Sequence, residues 1–266
     1  MIYELNHFGI VVKDLEKSLA FYRDLMGAEI VYEGFVPATK TDVVYLLIAG
    51  GLIELLHPAE PSEEHIFGIT HIAFMTDALD ADYRRLVDLG YEGLAAPKAA
   101  GSGVGRLAFL SDPNGARVEL LERDLELRAR PIAHDVIKSF DHYSVQADDL
   151  DAAMRLYRDV MGMTVLRKVT VPHPTNPLSI VYLNWGYDVL ELRHRPIPDA
   201  GAPIFSHFAL RVDDVDEALR IFARKGARVE PGMPAPDTDL GRTGIVTDPD
   251  GVRIELVDRA DLRDLP

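Results

Sequence analysis

Residues Ser111–Arg123 read SDPNGARVELLER, and residues Thr247–Arg259 read TDPDGVRIELVDR. A turn sequence followed by a glutamate in an apolar frame thus recurs 136 residues later. Working outward, HFGIVVKDLEKSLAFYRDLMGA from His7 returns as HYSVQADDLDAAMRLYRDVMGM from His142, at an offset of 135. Matched landmarks in two halves of similar length mean a tandem duplication. Each half divides again, because ITHIAFMTDALDADYRRLVDLG from Ile69 and FSHFALRVDDVDEALRIFARKG from Phe205 have the same shape. Four modules result, beginning near His7, His71, His142 and His207.

Within a module the pattern predicts a short alternating strand, an acidic turn, a helix and three further strands. Asp14 and Asp149 stand where a helix N-cap belongs. Leu15, Leu19, Tyr22 and Met26, and in the third module Leu150, Met154, Tyr157 and Met161, follow helical spacing. A glycine closes each helix (Gly27, Gly90, Gly162 and Gly226), as expected of a residue that tolerates the left-handed conformation. The spacing predicts an α+β protein with a first domain over residues 1–124, a linker over 125–138 and a second domain over 139–266.

The chain has 266 residues, 47% of them hydrophobic, enough for a substantial core. A net charge of −15 repels phosphate backbones and anionic membranes, so neither nucleic acid nor membrane is expected as a partner. With no cysteine, disulfides, thiolate metal ligands and a cysteine nucleophile are excluded, and any metal must be held by nitrogen and oxygen. The start, MIYELNHFGIVV, does not read as a signal peptide, and no apolar run approaches the ~20 residues of a membrane helix. The expectation is a cytoplasmic monomer or homodimer acting on a small molecule.

Each module places a histidine on its first strand and a glutamate on its last, 47 to 49 residues later: His7 and Glu54, His71 and Glu119, His142 and Glu191, His207 and Glu255. The glutamates sit in the frames LIELL, RVELL, VLELR and RIELV. A carboxylate there is costly to bury unless it is paired or bound to a metal. Four matched pairs point to metal ligation. Two imidazoles and two carboxylates suit a divalent first-row ion, and Zn, Ni, Co, Mn and Fe all stay open at this point.

These residues resemble the vicinal oxygen chelate superfamily, which includes glyoxalase I, methylmalonyl-CoA epimerase, extradiol dioxygenases and the bleomycin and fosfomycin resistance proteins. The resemblance covers nearly the whole chain. It implies two tandem glyoxalase-like domains whose paired βαβββ modules curl into cupped, incompletely closed sheets with metal ligands on the inner face. His7, Glu54, His71 and Glu119 match the ligand positions of bacterial-type glyoxalase I, and His142, Glu191, His207 and Glu255 match them again. Either half contributes one cup if modules 1 and 2 pair, whereas pairing of modules 1 and 4 is the other arrangement. The run FGIT before His71 departs from the glyoxalase pattern, and no glutathione-binding set can be matched. Ala38 stands where the epimerase has its catalytic glutamate; the second half has Val171-Pro172-His173, which makes His173 a candidate base.

The resemblance implies a divalent-metal-dependent enzyme of glyoxalase or epimerase type, working on a substrate with vicinal oxygens through a metal-stabilised enediolate. Glu119 and Glu255 are the candidate proton carriers. Tyr45 and Tyr182, nine residues before the odd-module glutamates, and Arg106 and Arg242, thirteen before the even-module ones, are candidate substrate contacts. His57 and His194, three residues after Glu54 and Glu191, read as structural. An Fe(II)-dependent ring-cleaving dioxygenase is the alternative, although GRTGIVTDPDGVRIE lacks the histidine and tyrosine of that signature. A non-catalytic binding protein is the third reading.

Overall fold

The computed structural model describes residues 1–62, 64–128, 134–198, 200–230 and 240–264. Residues 129–133 of the expected linker lie outside the described residues. The first half runs β1 (Ile2–Val11), α1 (Leu15–Leu19), β2 (Glu29–Val36), β3 (Thr41–Ile48), β4 (Gly51–Pro58), β5 (Gly68–Thr76), α2 (Leu79–Asp88), β6 (Gly93–Ala99), β7 (Arg106–Ser111) and β8 (Arg117–Glu122). The second half runs β9 (Ile137–Gln146), α3 (Leu150–Met154), β10 (Thr164–Val171), β11 (Leu178–Trp185), β12 (Asp188–His194), β13 (Phe205–Val212), α4 (Val215–Arg224), β14 (Arg228–Glu230), β15 (Arg242–Thr247) and β16 (Arg253–Asp258). No helix of the described residues is long and apolar enough to cross a membrane.

The strands form two open eight-stranded sheets in the order β2-β3-β4-β1-β5-β8-β7-β6 and β10-β11-β12-β9-β13-β16-β15-β14. Module 1 therefore pairs with module 2 and module 3 with module 4, which answers the question the spacing left open. In each module the first and last strands are parallel neighbours (β1 with β4, β5 with β8), and β1 joins β5 antiparallel at the sheet centre. Every histidine strand thus lies against a glutamate strand, and the two histidine strands lie against each other. Side chains alternate across a strand, so His7 and Glu54 face the cup while Phe8, Ile10, Ile53 and Leu55 enter the apolar core with no more than 1% exposure.

Asp14, Asp149 and Asp214 each accept a backbone N–H of the first turn of α1, α3 and α4, and the four terminating glycines all have positive φ, from 74° to 95°. The first and third helices depart from the expected regular form. After five α-helical residues each widens into a six-residue π-helical stretch, Ala20–Leu25 and Arg155–Val160. The wider turn carries adjacent residues inward together: Phe21 with Tyr22, and Leu156 with Tyr157, are all buried.

Those tyrosines tie the halves together. Tyr22 donates to Asp248 Oδ2 (2.8 Å), and Tyr157 donates to Asp112 Oδ2 (3.1 Å). In each aspartate the other oxygen caps its own turn: Asp112 Oδ1 accepts from the Asn114 and Ala116 amides, and Asp248 Oδ1 from those of Asp250 and Val252. The repeated DP-x-G sequence is thus an Asx-type turn offering one carboxylate oxygen to the opposite half. Aromatic contacts continue the seam, with Phe8 against Tyr143 (4.9 Å) and Phe205 (5.4 Å). One apolar core runs through both halves.

Burial raises the Asp248 carboxyl to about 6, against the donation from Tyr22 that lowers it. The folded state therefore holds this proton more tightly than the unfolded chain. Its contribution to stability is lost as pH rises from about 4 through 6, by about 2–3 kcal/mol. In urea titrations with chelator present, Asp248→Asn is expected to be at least as stable as the parent at pH 8 and to show a flatter dependence between pH 4 and 7. Asp248→Ala, which removes the turn acceptor and the Tyr22 acceptor, is expected to cost about 1–3 kcal/mol at pH 5 as well as pH 8.

Candidate metal centres

The strand order brings His7 (β1), Glu54 (β4), His71 (β5) and Glu119 (β8) to one point in the first cup. His7 Nε2 lies 3.6 Å from Glu54 Oε2 and 3.4 Å from Glu119 Oε2; His71 Nε2 lies 3.4 Å from each. In the second cup His142 Nε2 stands 3.6 Å from Glu191 Oε2 and 3.8 Å from Glu255 Oε2, and His207 Nε2 stands 3.5 and 3.6 Å from the same atoms. Donors about 2.0–2.2 Å from one ion stand about 3.0–3.5 Å apart in tetrahedral or cis-octahedral geometry, so both clusters have the dimensions of a ligand shell. Donor atoms of His7, His71 and Glu119 all lie within 4.8 Å of one another, as do those of His142, Glu191 and His207.

Three buried atoms of the first cluster, His7 Nε2, His71 Nε2 and Glu119 Oε2, have no hydrogen-bond partner. Such atoms are costly in an apolar surround, and a shared cation satisfies all three. The donor set therefore fits a divalent first-row ion.

A pattern absent from the sequence reading orients the rings. The residue before each histidine contacts its Nδ1: Asn6 Oδ1 at 2.8 Å from His7, Thr70 Oγ1 at 3.4 Å from His71, Asp141 Oδ1 at 2.7 Å from His142 and Ser206 Oγ at 3.0 Å from His207. Asn6 Oδ1 and the Asp141 carboxylate are acceptors, so Nδ1 carries a hydrogen and Nε2 is the nitrogen turned toward the cup. The signal was available as a polar residue preceding all four histidines. Two arginines were also missed. Arg123 donates to Asn6 Oδ1 (2.9 Å), and Arg259 is ion-paired with Asp141. Each lies four residues after an even-module glutamate and over a cup tyrosine, Arg123 at 4.8 Å from Tyr45 and Arg259 at 5.2 Å from Tyr182.

Close strand approach also shapes the centres. Gly9 is in register with both Glu54 and His71, and a Cβ there would lie 1.8 Å from the His71 ring. The glycine lets that imidazole lie across β1. At the equivalent position Ser144 donates to Glu191 Oε2 (2.6 Å), while Tyr182 donates to Oε1 (2.9 Å). Tyr45 stands edge-on to His7 with ring centres 5.1 Å apart.

The remaining candidates lie elsewhere, and three are corrected. Arg106 shares the β7 face of Ala108 and Leu110, which enter the core, so it turns away from the cup and pairs with Asp80 in the first turn of α2 (2.6 and 2.9 Å). Arg242 pairs likewise with Asp216 of α4 (2.7 Å). The strand alternation that aims Phe109 inward aims Arg106 outward. His173 is exposed in the β10–β11 loop, where its Nδ1 accepts from the Thr175 and Asn176 amides; prolines on either side hold it in that turn and away from the donors. His57 and His194 are structural, bonded to Asp42 (3.1 Å) and to the Ala147 carbonyl (2.9 Å).

The charges compensate one another. Burial alone would lower the His71 and His142 imidazoles. The opposing carboxylates, Glu119 and Glu54 for His71, and Glu191 with Asp141 for His142, raise each to about 9. Burial would likewise raise the four ligand carboxyls, and the histidines instead hold them below the usual range.

The sequence profile of the Glyoxalase/Bleomycin resistance protein/Dioxygenase superfamily matches residues 4–120 and again residues 139–256. The chain belongs to this superfamily; it is an enzyme of the glyoxalase type, built to hold a divalent metal ion. Among its relatives, a lactoylglutathione lyase of Schizosaccharomyces pombe is 23% identical over 97% of each chain. An ethylmalonyl-CoA/methylmalonyl-CoA epimerase of Cereibacter sphaeroides is 36% identical over 45% of this chain and 98% of its own. Two solved structures share the fold. The Mn(II)-bound glyoxalase from Novosphingobium aromaticivorans is 19% identical, with a TM-score of 0.69 over 98% of this chain and 84% of its own. The 2,3-dioxygenase LapB from Pseudomonas sp. KL28 is 17% identical, with a TM-score of 0.68 over 96% and 91%.

Imidazoles that titrate near 9 are protonated at pH 7 in metal-free protein, and coordination requires them neutral. Metal uptake at pH 7 is therefore expected to release about one proton per centre, with apparent affinity rising about tenfold per pH unit below 9. Calorimetric titration in phosphate and in Tris tests this; enthalpies that do not depend on the buffer would show the rings already neutral.

Proposed function

We propose that the protein catalyses metal-assisted proton transfer at a carbon next to a carbonyl, as an isomerase or lyase of the glyoxalase and epimerase type. The observation that carries the reading is the pair of four-donor clusters, each able to grip one ion while its carboxylates stay ionised. A divalent ion held by His7, Glu54, His71 and Glu119, or by their second-half counterparts, supplies Lewis-acid stabilisation of the negative charge that develops on substrate oxygens. The names of the lyase and epimerase relatives are in keeping with this chemistry.

The surroundings assign different work to the two carboxylates of a centre. Tyr182 and Ser144 hold Glu191 in place from both oxygens. Among the described residues no hydroxyl or amide donates to Glu255, and Glu119 Oε2 has no hydrogen-bond partner. Glu119 and Glu255 are thus the freer carboxylates, suited to take the proton at Oε2 and return it to the adjacent carbon. Glu191 anchors, and Glu54 takes the same part by its equivalent place on β4 opposite Tyr45. The backing by Asn6 and Asp141 orients the His7 and His142 rings with Nε2 toward the cup.

Exchange of the α-proton of hydroxycarbonyl compounds into D2O, followed by NMR, reads the reaction directly. Glu119→Gln combined with Glu255→Gln is expected to lower the exchange rate at least ~100-fold, whereas His173→Ala is expected to stay within about twofold because that ring serves its own loop. Exchange should proceed equally under nitrogen and air. Activity that appears only with oxygen, or that survives the double substitution, would overturn the proposal.

A further inference from the structure

The first cup opens on a cleft of about 710 Å³ that has His71 in its wall, within the range of small-molecule sites. It lies at the junction of the halves, since Ile204 and Phe205 of the second half close one side. Its walls near the donors are apolar: Leu56, two residues beyond Glu54, Ile69, two before His71, and Phe109, in register with Glu119. Ile66 stands at the rim with 78% exposure, apolar surface that a bound ligand would cover.

Charge in this cleft is sparse. Among the described residues Arg117 is the only cationic chain in the wall apart from histidines, and its guanidinium rests on the Phe109 ring at 3.9 Å. Glu64 opposes it in sign. The Thr70 hydroxyl is spent on the Gly9 carbonyl, and His65 Nδ1 on Ser62. A tripeptide or nucleotide conjugate carrying several anionic groups finds one arginine here, in a chain of net charge −15.

The second cup supplies the contrast. Where the first has Val11, Leu56 and Phe109, the second has Gln146, Arg193 and Ile245 at the same offsets from the ligands, and Arg193 Nη1 lies 3.7 Å from Glu191 Oε2. The donors are common to both cups; the wall of the second carries polar Gln146 and Arg193 where that of the first has apolar Val11 and Leu56.

From this we infer that the substrate of the first centre is a compact α-hydroxycarbonyl bearing an aryl or branched alkyl group. Its oxygens face the donors, and its carbon substituent lies against Leu56, Phe109 and Ile204. The inference rests on the proton-transfer reading for the chemistry, but not for the binding.

Binding and exchange are therefore measured separately on Mn(II)-loaded protein with three probes: 2-hydroxyacetophenone, hydroxyacetone and S-lactoylglutathione. Calorimetric titration should give the aryl compound a Kd at least ~30-fold below hydroxyacetone, as expected for burial of a phenyl group. Leu56→Arg, which installs the second cup's residue, should shrink that ratio to about threefold or less, and Phe109→Ile should reduce it if the arginine variant fails to fold. In D2O the C–H bond α to the carbonyl breaks and a C–D bond forms, with solvent supplying the deuteron. Tight aryl binding without exchange would sink the reaction and leave the cleft assignment standing. Equal Kd values for the three probes, tighter binding of the tripeptide conjugate, or a ratio untouched by both variants would overturn the inference.

Discussion

The site depends on placing eight ionisable side chains, seven of them buried and Glu255 partly so, on two apolar sheet faces. An isolated carboxylate in the frame LIELL would cost more than the strand's packing returns. The cost is offset because each glutamate lies within 3.4 to 3.8 Å of two imidazoles, and because a cation can take the place of their protons. No single module contains such a set. A glutamate strand finds its own histidine through the parallel pairing of β1 with β4, and the second histidine only across the antiparallel seam of β1 and β5. The doubled module is therefore a condition for the site as well as a record of duplication.

The same economy governs the seam between the halves. Asp112 and Asp248 use one oxygen to close a turn and the other to receive a tyrosine from the opposite half. Neither reaches a metal donor. The DP-x-G sequence, the most recognisable text in the chain, thus serves docking and turn formation, while the glutamate that follows it serves the centre. The π-helical stretches belong to this docking, since Tyr22 and Tyr157 both lie on them and each bonds across the seam.

The convergence of the histidines and glutamates was legible because one spacing occurs four times, and strand alternation fixes which neighbours share their face. Module pairing was not legible: His-to-Glu offsets are the same whether module 1 meets module 2 or module 4, and only the hydrogen-bonded order of strands decides. Arg106 and Arg242 were misjudged because distance along the chain to a glutamate says nothing about parity on the neighbouring strand. His173 was proposed from a loop alignment, and a loop does not hold register. The π-helical widening left no mark, since apolar spacing over two turns satisfies either helix. By contrast the acceptors Asn6, Thr70, Asp141 and Ser206 stand beside the histidines in plain sight; orientation of a ligand ring by its chain neighbour needs no tertiary knowledge to suspect.

Around the donors the halves have diverged. Asn6 becomes Asp141, Gly9 becomes Ser144 and Leu56 becomes Arg193, while all eight donors persist. Behind His142 the Asp141 carboxylate is matched by Arg259; behind His7 the neutral Asn6 amide takes Arg123 on its oxygen and donates its Nδ2 to the Glu4 carboxylate. The carboxylate behind the first centre thus stands one residue further from the ring than the one behind the second. In the second, Ser144, Tyr182 and Arg193 crowd the oxygens of one anchoring glutamate. Exchanging a donor would abolish a site, whereas exchanging its support retunes it. That asymmetry explains how duplicated cups can keep one ligand set and still part company in what they bind.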